Sequence, residues 1–225
     1  MDAGAGWRSR AATALGVAAV LGGLAGLALG LAPGAEPPPP LSAQEADLAA
    51  RRSELVFDRA EATFAARFAA ELGRGYAPLR LRHFVRATST ACAGARAASG
   101  PFFCEETREA AVDLAVIHAL EPRLRKEAGA GIALVSARVA AAHAALALGP
   151  GADADCLTGV FAQDAGLGAV SARTYGRALG AMASALEATS PRAEWRDGRI
   201  FGGDPAAREA AFAKGLSAGR ISTCG

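Results

Sequence analysis

A chain of 225 residues, 52% of them hydrophobic, is long enough for one compact domain plus an appendage. The formal net charge of +2, from 24 Lys and Arg against 22 Asp and Glu, provides no basic footprint of the kind nucleic-acid binding requires, and that class is excluded. Alanine and glycine carry much of the apolar share, with only two Trp and two Tyr, so helices can approach closely around a core with few large anchors.

Residues Met1 to Arg10 include Arg8 and Arg10, and from Ala11 to Ala32 there is no charged side chain over 22 positions. At about 1.5 Å per residue this run reaches across a hydrocarbon core of roughly 30 Å. The flanking arginines favour an N-terminus inside and a remainder exported. Small residues near Ala32 and Ala35 also admit a cleaved signal peptide, but the run exceeds the usual apolar length of one, which favours a retained anchor. Gly22, Gly23 and Gly26 would let two such helices approach closely. Pro33 and Pro37 to Pro40 then form a stiff extended linker that spaces the domain from the bilayer. The expected division is a cytoplasmic segment over 1–10, a transmembrane helix or signal anchor over 11–32, a Pro-rich linker over 33–41 and an exported domain over 42–225.

Ser42-Ala43-Gln44-Glu45 has capping-box spacing, and the helix it opens runs to about Leu72 with Phe57, Phe64, Phe68 and Leu72 near one stripe. Gly73 and Gly75 stop it. Leu79 to Arg86 alternates, with Leu79, Leu81, His83 and Val85 on one face and Arg80, Arg82, Phe84 and Arg86 on the other, which predicts a half-buried strand. Its basic face reads as a solvated edge whose charges block aggregation, with an anionic surface such as lipid headgroups as the alternative. Thr88 to Cys104 reads as a loop, Ala110 to Ile117 as a second strand containing Asp113, and Glu121-Pro122 as the start of a helix reaching about Ala128. Gly131 to Leu146 is an apolar helix carrying Ser136, Arg138 and His143. After the break at Gly149-Pro150-Gly151, Asp153 to Thr158 opens another helix. Further helices are expected over about Gly168 to Ala188 and Pro205 to Gly219. This layout is α+β, mainly helical with a small sheet.

Cys92, Cys104, Cys156 and Cys224 are even in number and follow an export signal, which favours two disulfides. No C-x-x-C is present, so a structural zinc site is not indicated. Of three possible connectivities, Cys92–Cys104 with Cys156–Cys224 is the most economical: the first closes a local loop and the second ties the chain end to a core helix. Free thiols in a cytoplasmic domain would need the opposite topology. No G-x-S-x-G, P-loop or G-x-G-x-x-G occurs. Ser136 has no His at a convincing helical spacing, and Glu105-Glu106 reads as solvated.

The motifs resemble those of the bacterial neutral zinc metallopeptidase family. The resemblance rests on Thr90-Ala91-Cys92-Ala93-Gly94 followed by Gly100-Pro101-Phe102-Phe103-Cys104, on Val112-Asp113-Leu114, on Ala154-Asp155-Cys156-Leu157-Thr158-Gly159-Val160-Phe161, and on the tail from Arg208 through Phe212, Gly215 and Gly219 to Cys224. It implies a membrane-anchored protein with one transmembrane helix, a low-complexity linker and an exported metallopeptidase-like domain. It also implies zinc, held by H-E-x-x-H on a helix about twenty residues before the Ala-Asp-Cys motif and by a later Glu. Aligned on Ile132-Ala133, the first His falls on Leu134, the Glu on Val135 and the second His on Arg138, while the later Glu falls on or near Gly151. A family His before the tail is replaced in Phe201-Gly202-Gly203. The resemblance therefore implies a scaffold whose catalytic and metal positions are degenerate.

A catalytic zinc needs about three protein ligands and an open position for a water whose pKa falls to about 7. Leu134 and Val135 cannot coordinate a cation, and a fixed guanidinium at Arg138 would repel one by several kcal/mol at short range. The expectation is a catalytically degenerate domain without zinc, membrane-held through 11–32, that binds a peptide or an envelope protein and not nucleic acid. The alternative is an active zinc metallopeptidase with a relocated site that draws on His118, His143 and an Asp; His83, Asp113, Asp153 and Asp155 complete the candidate ligands. A purely structural tethered domain is a third reading. His143 lies roughly 140° round the helix from Arg138 and does not share its face. Asp153 and Asp155 suit helix capping, and Arg138 is expected to pair with one of them.

Overall fold

The computed structural model describes residues 40–167, 170–190 and 192–225. The segment 1–10, the helix expected over 11–32 and all but the last two residues of the 33–41 linker lie outside these described residues. Pro39 to Gly225 form one compact unit that holds the whole described core and both disulfides.

Helix α1 spans Ala43–Leu72. Ser42 Oγ accepts from Glu45 N at 3.3 Å while Ser42 N donates to Glu45 Oε2 at 2.8 Å, so the capping box is closed on both sides. Phe57, Phe64 and Phe68 are buried on its inner face, and Gly73 ends it at φ 62, a conformation open to glycine without steric cost. Strand β1 is Arg80–Phe84, shorter than the alternation implied, because Val85 is exposed and Arg86 turns left-handed at φ 68.

The loop expected between Thr88 and Cys104 ends in a strand, β2, at Phe102–Cys104, and β3 is Glu109–Asp113. The sheet order is β1-β3-β2, with β1 parallel and β2 antiparallel to β3. The second strand does not continue to Ile117. Asp113 Oδ1 accepts from Ala115 N at 3.0 Å and caps helix α2, Leu114–Leu124, so Ala115, Val116 and Ile117 are helical. Pro122 accordingly sits inside that helix near its C-terminal end, not at the start of one. At Arg125 the backbone takes φ 51, which ends α2 and opens a 3-10 turn, Arg125–Glu127.

Helix α3, Ala128–Leu148, is the axis of the domain. It packs against α1, α2, β2, β3 and the helices that follow: α4 (Ala154–Asp164), α5 (Ala172–Thr189) and the short α6 (Gly198–Phe201). Being enclosed, it shows no amphipathic stripe, and nearly every residue from Gly131 to Ala145 is buried. By length and apolarity the stretch Leu114–Leu148 passes for a membrane span, with a mean hydropathy of 1.7 over its most apolar 18 residues, yet 78% of those residues lie buried inside the fold.

Helix α7, Pro205–Ala218, makes its most extensive contact with α4. A Cβ on Gly215 would lie 1.8 Å from the Cys156 carbonyl oxygen, and one on Gly159 would lie 2.1 Å from that of Phe212, so the two helices meet backbone to backbone. Cys92–Cys104 staples a small second core that includes Ala98 and Phe102, with Trp195 against it. Cys156–Cys224 fastens the chain end to α4.

Candidate functional site

Helices α3, α5 and α7 each send one polar side chain to a single carboxylate, that of Asp155 on α4. Asp153 precedes α4 and its Oδ1 accepts from Asp155 N at 2.7 Å and Cys156 N at 3.1 Å, which sets Asp155 in the first turn with its side chain turned inward. Arg138 on α3 donates from Nε to Asp155 Oδ1 at 2.8 Å. Arg208 on α7 forks onto the same group, Nε to Oδ2 at 3.1 Å and Nη2 to Oδ1 at 3.1 Å. The Tyr175 hydroxyl on α5 donates to Oδ1, and its ring stacks on Phe212 at 4.4 Å between centroids. Two carbonyls of α6 each accept one further guanidinium N–H, Arg199 O from Arg138 Nη2 at 2.5 Å and Ile200 O from Arg208 Nη2 at 2.9 Å.

Arg138 is only 4% exposed, and its Nη1 finds no partner among the described residues. Burial alone would raise the Asp155 carboxyl; Arg138, Arg208 and the Tyr175 hydroxyl beside it outweigh that and hold it below the ordinary carboxylate range. Burial pushes the Tyr175 hydroxyl up, so it remains a donor.

A cleft of about 460 Å³ opens beside this cluster, lined by Arg138, Ala142, Leu146, Gly151, Asp153 and Arg199 among others. Arg199 is anchored at its rim, bonding Asp197 through Nε at 3.0 Å and Glu105 through Nη1 at 2.6 Å. Glu105 is therefore a surface ion-pair partner.

The positions assigned to zinc by resemblance are not brought together as a donor set. Leu134 and Val135 are fully buried in the apolar core, Gly151 presents no side chain to the cleft, and Arg138 is committed to Asp155. Arg138 pairs with Asp155 and not with Asp153, whose carboxylate serves the helix N-terminus instead.

The three histidines stand apart. His83 Nε2 lies 3.0 Å from Ser53 Oγ. His118 Nε2 faces Glu45 at 3.6 Å on the surface. His143 has partners other than those of Arg138: Tyr76 Oη lies 2.7 Å from its Nδ1 and 2.9 Å from Glu61 Oε1. A hydroxyl has one proton, so with Tyr76 donating to Glu61 it is His143 Nδ1–H that donates to Tyr76. Asp113 is a buried cap. Among the described residues the one grouping of three potential ligand atoms within 4.8 Å is Cys92, Cys104 and Glu106, where both sulfurs are consumed in the disulfide.

Sequence reasoning missed Tyr175 and Arg208 as partners of Asp155. The available signals were a lone aromatic, Tyr175, on its helix and an Arg four residues before Phe212, one helical turn away on the same face.

A family profile described as "Putative neutral zinc metallopeptidase" matches residues 35–150, just over half of the chain. That stretch takes in α1 to α3, including Leu134, Val135 and Arg138, and stops before Gly151. No curated protein and no solved structure matches the chain.

Proposed function

Given that the chain belongs to the neutral zinc metallopeptidase family, we propose that it is a catalytically degenerate member which binds a peptide or an envelope protein and cleaves nothing. The observation that carries this reading is Arg138. At the second ligand position stands a buried guanidinium, tied to Asp155 and to the Arg199 carbonyl, linking α3 to α4 and α6. The residues present do not fit zinc: hydrocarbon, guanidinium and glycine offer no lone pair, and the oxygens of Asp155 are taken by Arg138, Arg208 and Tyr175. Retention of the fold without a metal fits this cluster, since the charged network ties α3 to α4, α6 and α7.

Binding falls to the cleft beside Arg138, where Ala142, Ala145 and Leu146 offer an apolar wall and Arg199 and Asp153 offer polar ends. The protein is anchored in the cytoplasmic membrane through 11–32 with its domain outside the cytoplasm. Two disulfides fit an oxidising compartment, and they support that topology. The alternative, an active peptidase with a relocated zinc, draws no support from His118 and His143, each of which has its own partner on a different side of the fold.

The test is metal content. Full-length protein extracted from membranes, purified in detergent and dialysed is expected to hold far less than one zinc per chain, with a Tm unmoved by chelator. Stoichiometric zinc, or chelator-sensitive cleavage of an unfolded substrate, overturns the reading.

A further inference from the structure

A cleft of about 470 Å³ lies where α2 gives way to α3, lined by Arg123, Arg125, Lys126, Glu127, Arg177 and Ala181 among others. Four cations there face one carboxylate, and Glu127 is already paired with Arg177. Arg123 Nη1 donates to the Ala119 carbonyl of its own helix at 2.8 Å. The side chains of Arg125 and Lys126 make no hydrogen bond or ion pair among the described residues. Both side chains, on the 3-10 turn that the left-handed Arg125 opens, are exposed, and Arg173, one turn before Arg177 on α5, is exposed as well. Charge of one sign gathered this closely raises a positive potential that draws in anions.

Helix α2, whose C-terminal end carries the patch, is tied to the first third of α1 by two surface pairs. His118 meets Glu45 in the first turn of α1, and Glu121, two residues before Arg123, is paired with Arg52.

We infer that this cleft docks onto the phosphate headgroups of an anionic lipid bilayer, drawing the domain down onto the membrane that anchors it. The inference rests on the tethered reading proposed above. Each cation brought to an anionic surface adds about fivefold to partitioning, so Arg125 and Lys126 together account for about 25-fold.

Residues 39–225, which carry the whole described core, are mixed with sedimentable vesicles of phosphatidylcholine alone or of phosphatidylcholine and phosphatidylglycerol at a ratio of about 7:3, which gives the second set a negative surface potential. Binding is expected only to the anionic vesicles. It should fall about 25-fold in Arg125→Gln/Lys126→Gln and by less than about twofold in Arg59→Gln/Lys214→Gln, which removes the same net charge from exposed positions elsewhere. Equal losses in the two variants overturn the inference, as does indifference to phosphatidylglycerol. Saturable binding of inorganic phosphate, or of poly-glutamate, without vesicle binding also overturns it, in favour of a soluble phosphate or an acidic protein. Whether the full chain stays in carbonate-washed membranes tests the tether separately. Its loss from that fraction defeats the tethered reading, while a headgroup preference of the isolated domain is read from the vesicles alone.

Discussion

At the scale of single residues, Asp155 holds more of the fold than any cation around it. Replacing Arg138 with Ala leaves the carboxylate still forked by Arg208, whereas Asp155→Asn leaves two buried guanidiniums facing each other. We expect Asp155→Asn to cost roughly 3–5 kcal/mol at pH 7 in urea denaturation, and Arg138→Ala distinctly less. The pH dependence has a fixed sign. The Asp155 carboxyl lies lower in the folded state than its unfolded value near about 4, so its contribution is complete above that value and is lost as acid protonates it. The gap between wild type and Asp155→Asn should therefore narrow as pH falls below about 4.

At the scale of elements, the contact of α4 with α7 depends on two glycines. Gly215→Ala puts a methyl group against the Cys156 carbonyl, and because backbone on both sides must give way, the cost should reach or exceed the top of the usual 1–3 kcal/mol for overpacking. Gly180→Ala, exposed on α5 with open space at its Cβ, is the control and should be neutral or slightly stabilising. The helices with strong terminal signals were legible in the sequence. Ser42 with Glu45 fixed the start of α1 and Gly73 its end, and Asp204-Pro205 with Gly219 bounded α7. Misreadings came where local and tertiary signals conflict. Ala110 to Ile117 is one apolar run whose first part pairs in a sheet and whose second part is helical, and periodicity cannot divide a run buried on both sides. The Asp113 cap was the available boundary mark. The strand at Phe102–Cys104 is three residues long and exists through pairing with β3, a partner no local pattern reveals. At the site, the pairing of Arg138 with an aspartate at the start of α4 was legible in the sequence. The convergence of Tyr175 and Arg208 on Asp155 was not, because it depends on how three helices stack.

At the scale of the whole molecule, two loops of unequal length are closed, 12 residues by Cys92–Cys104 and 68 by Cys156–Cys224. On the chain-entropy account these contribute about 3 and about 4 kcal/mol. The longer closure also holds the chain end in place, where the Cys224 carbonyl accepts from Asp153 N at 2.7 Å and Glu71 accepts from Ile221 N and Ser222 N. Cys156→Ala/Cys224→Ala should accordingly lose more stability than Cys92→Ala/Cys104→Ala, with a lower Tm in calorimetry. The enclosed axis of the domain bears on how the protein is made. Arg138 divides the stretch from Ala128 to Ala152 into uncharged runs of 10 and 14 residues, each too short to lodge in a bilayer of roughly 30 Å. Arg138→Leu would fuse them into a run of 25, enough to halt passage through the translocon and strand the C-terminal half on the wrong side. On the exported topology proposed above, protease protection of a C-terminal tag in sealed vesicles would reveal that reversal, and Arg138 would be the residue that lets the chain finish crossing.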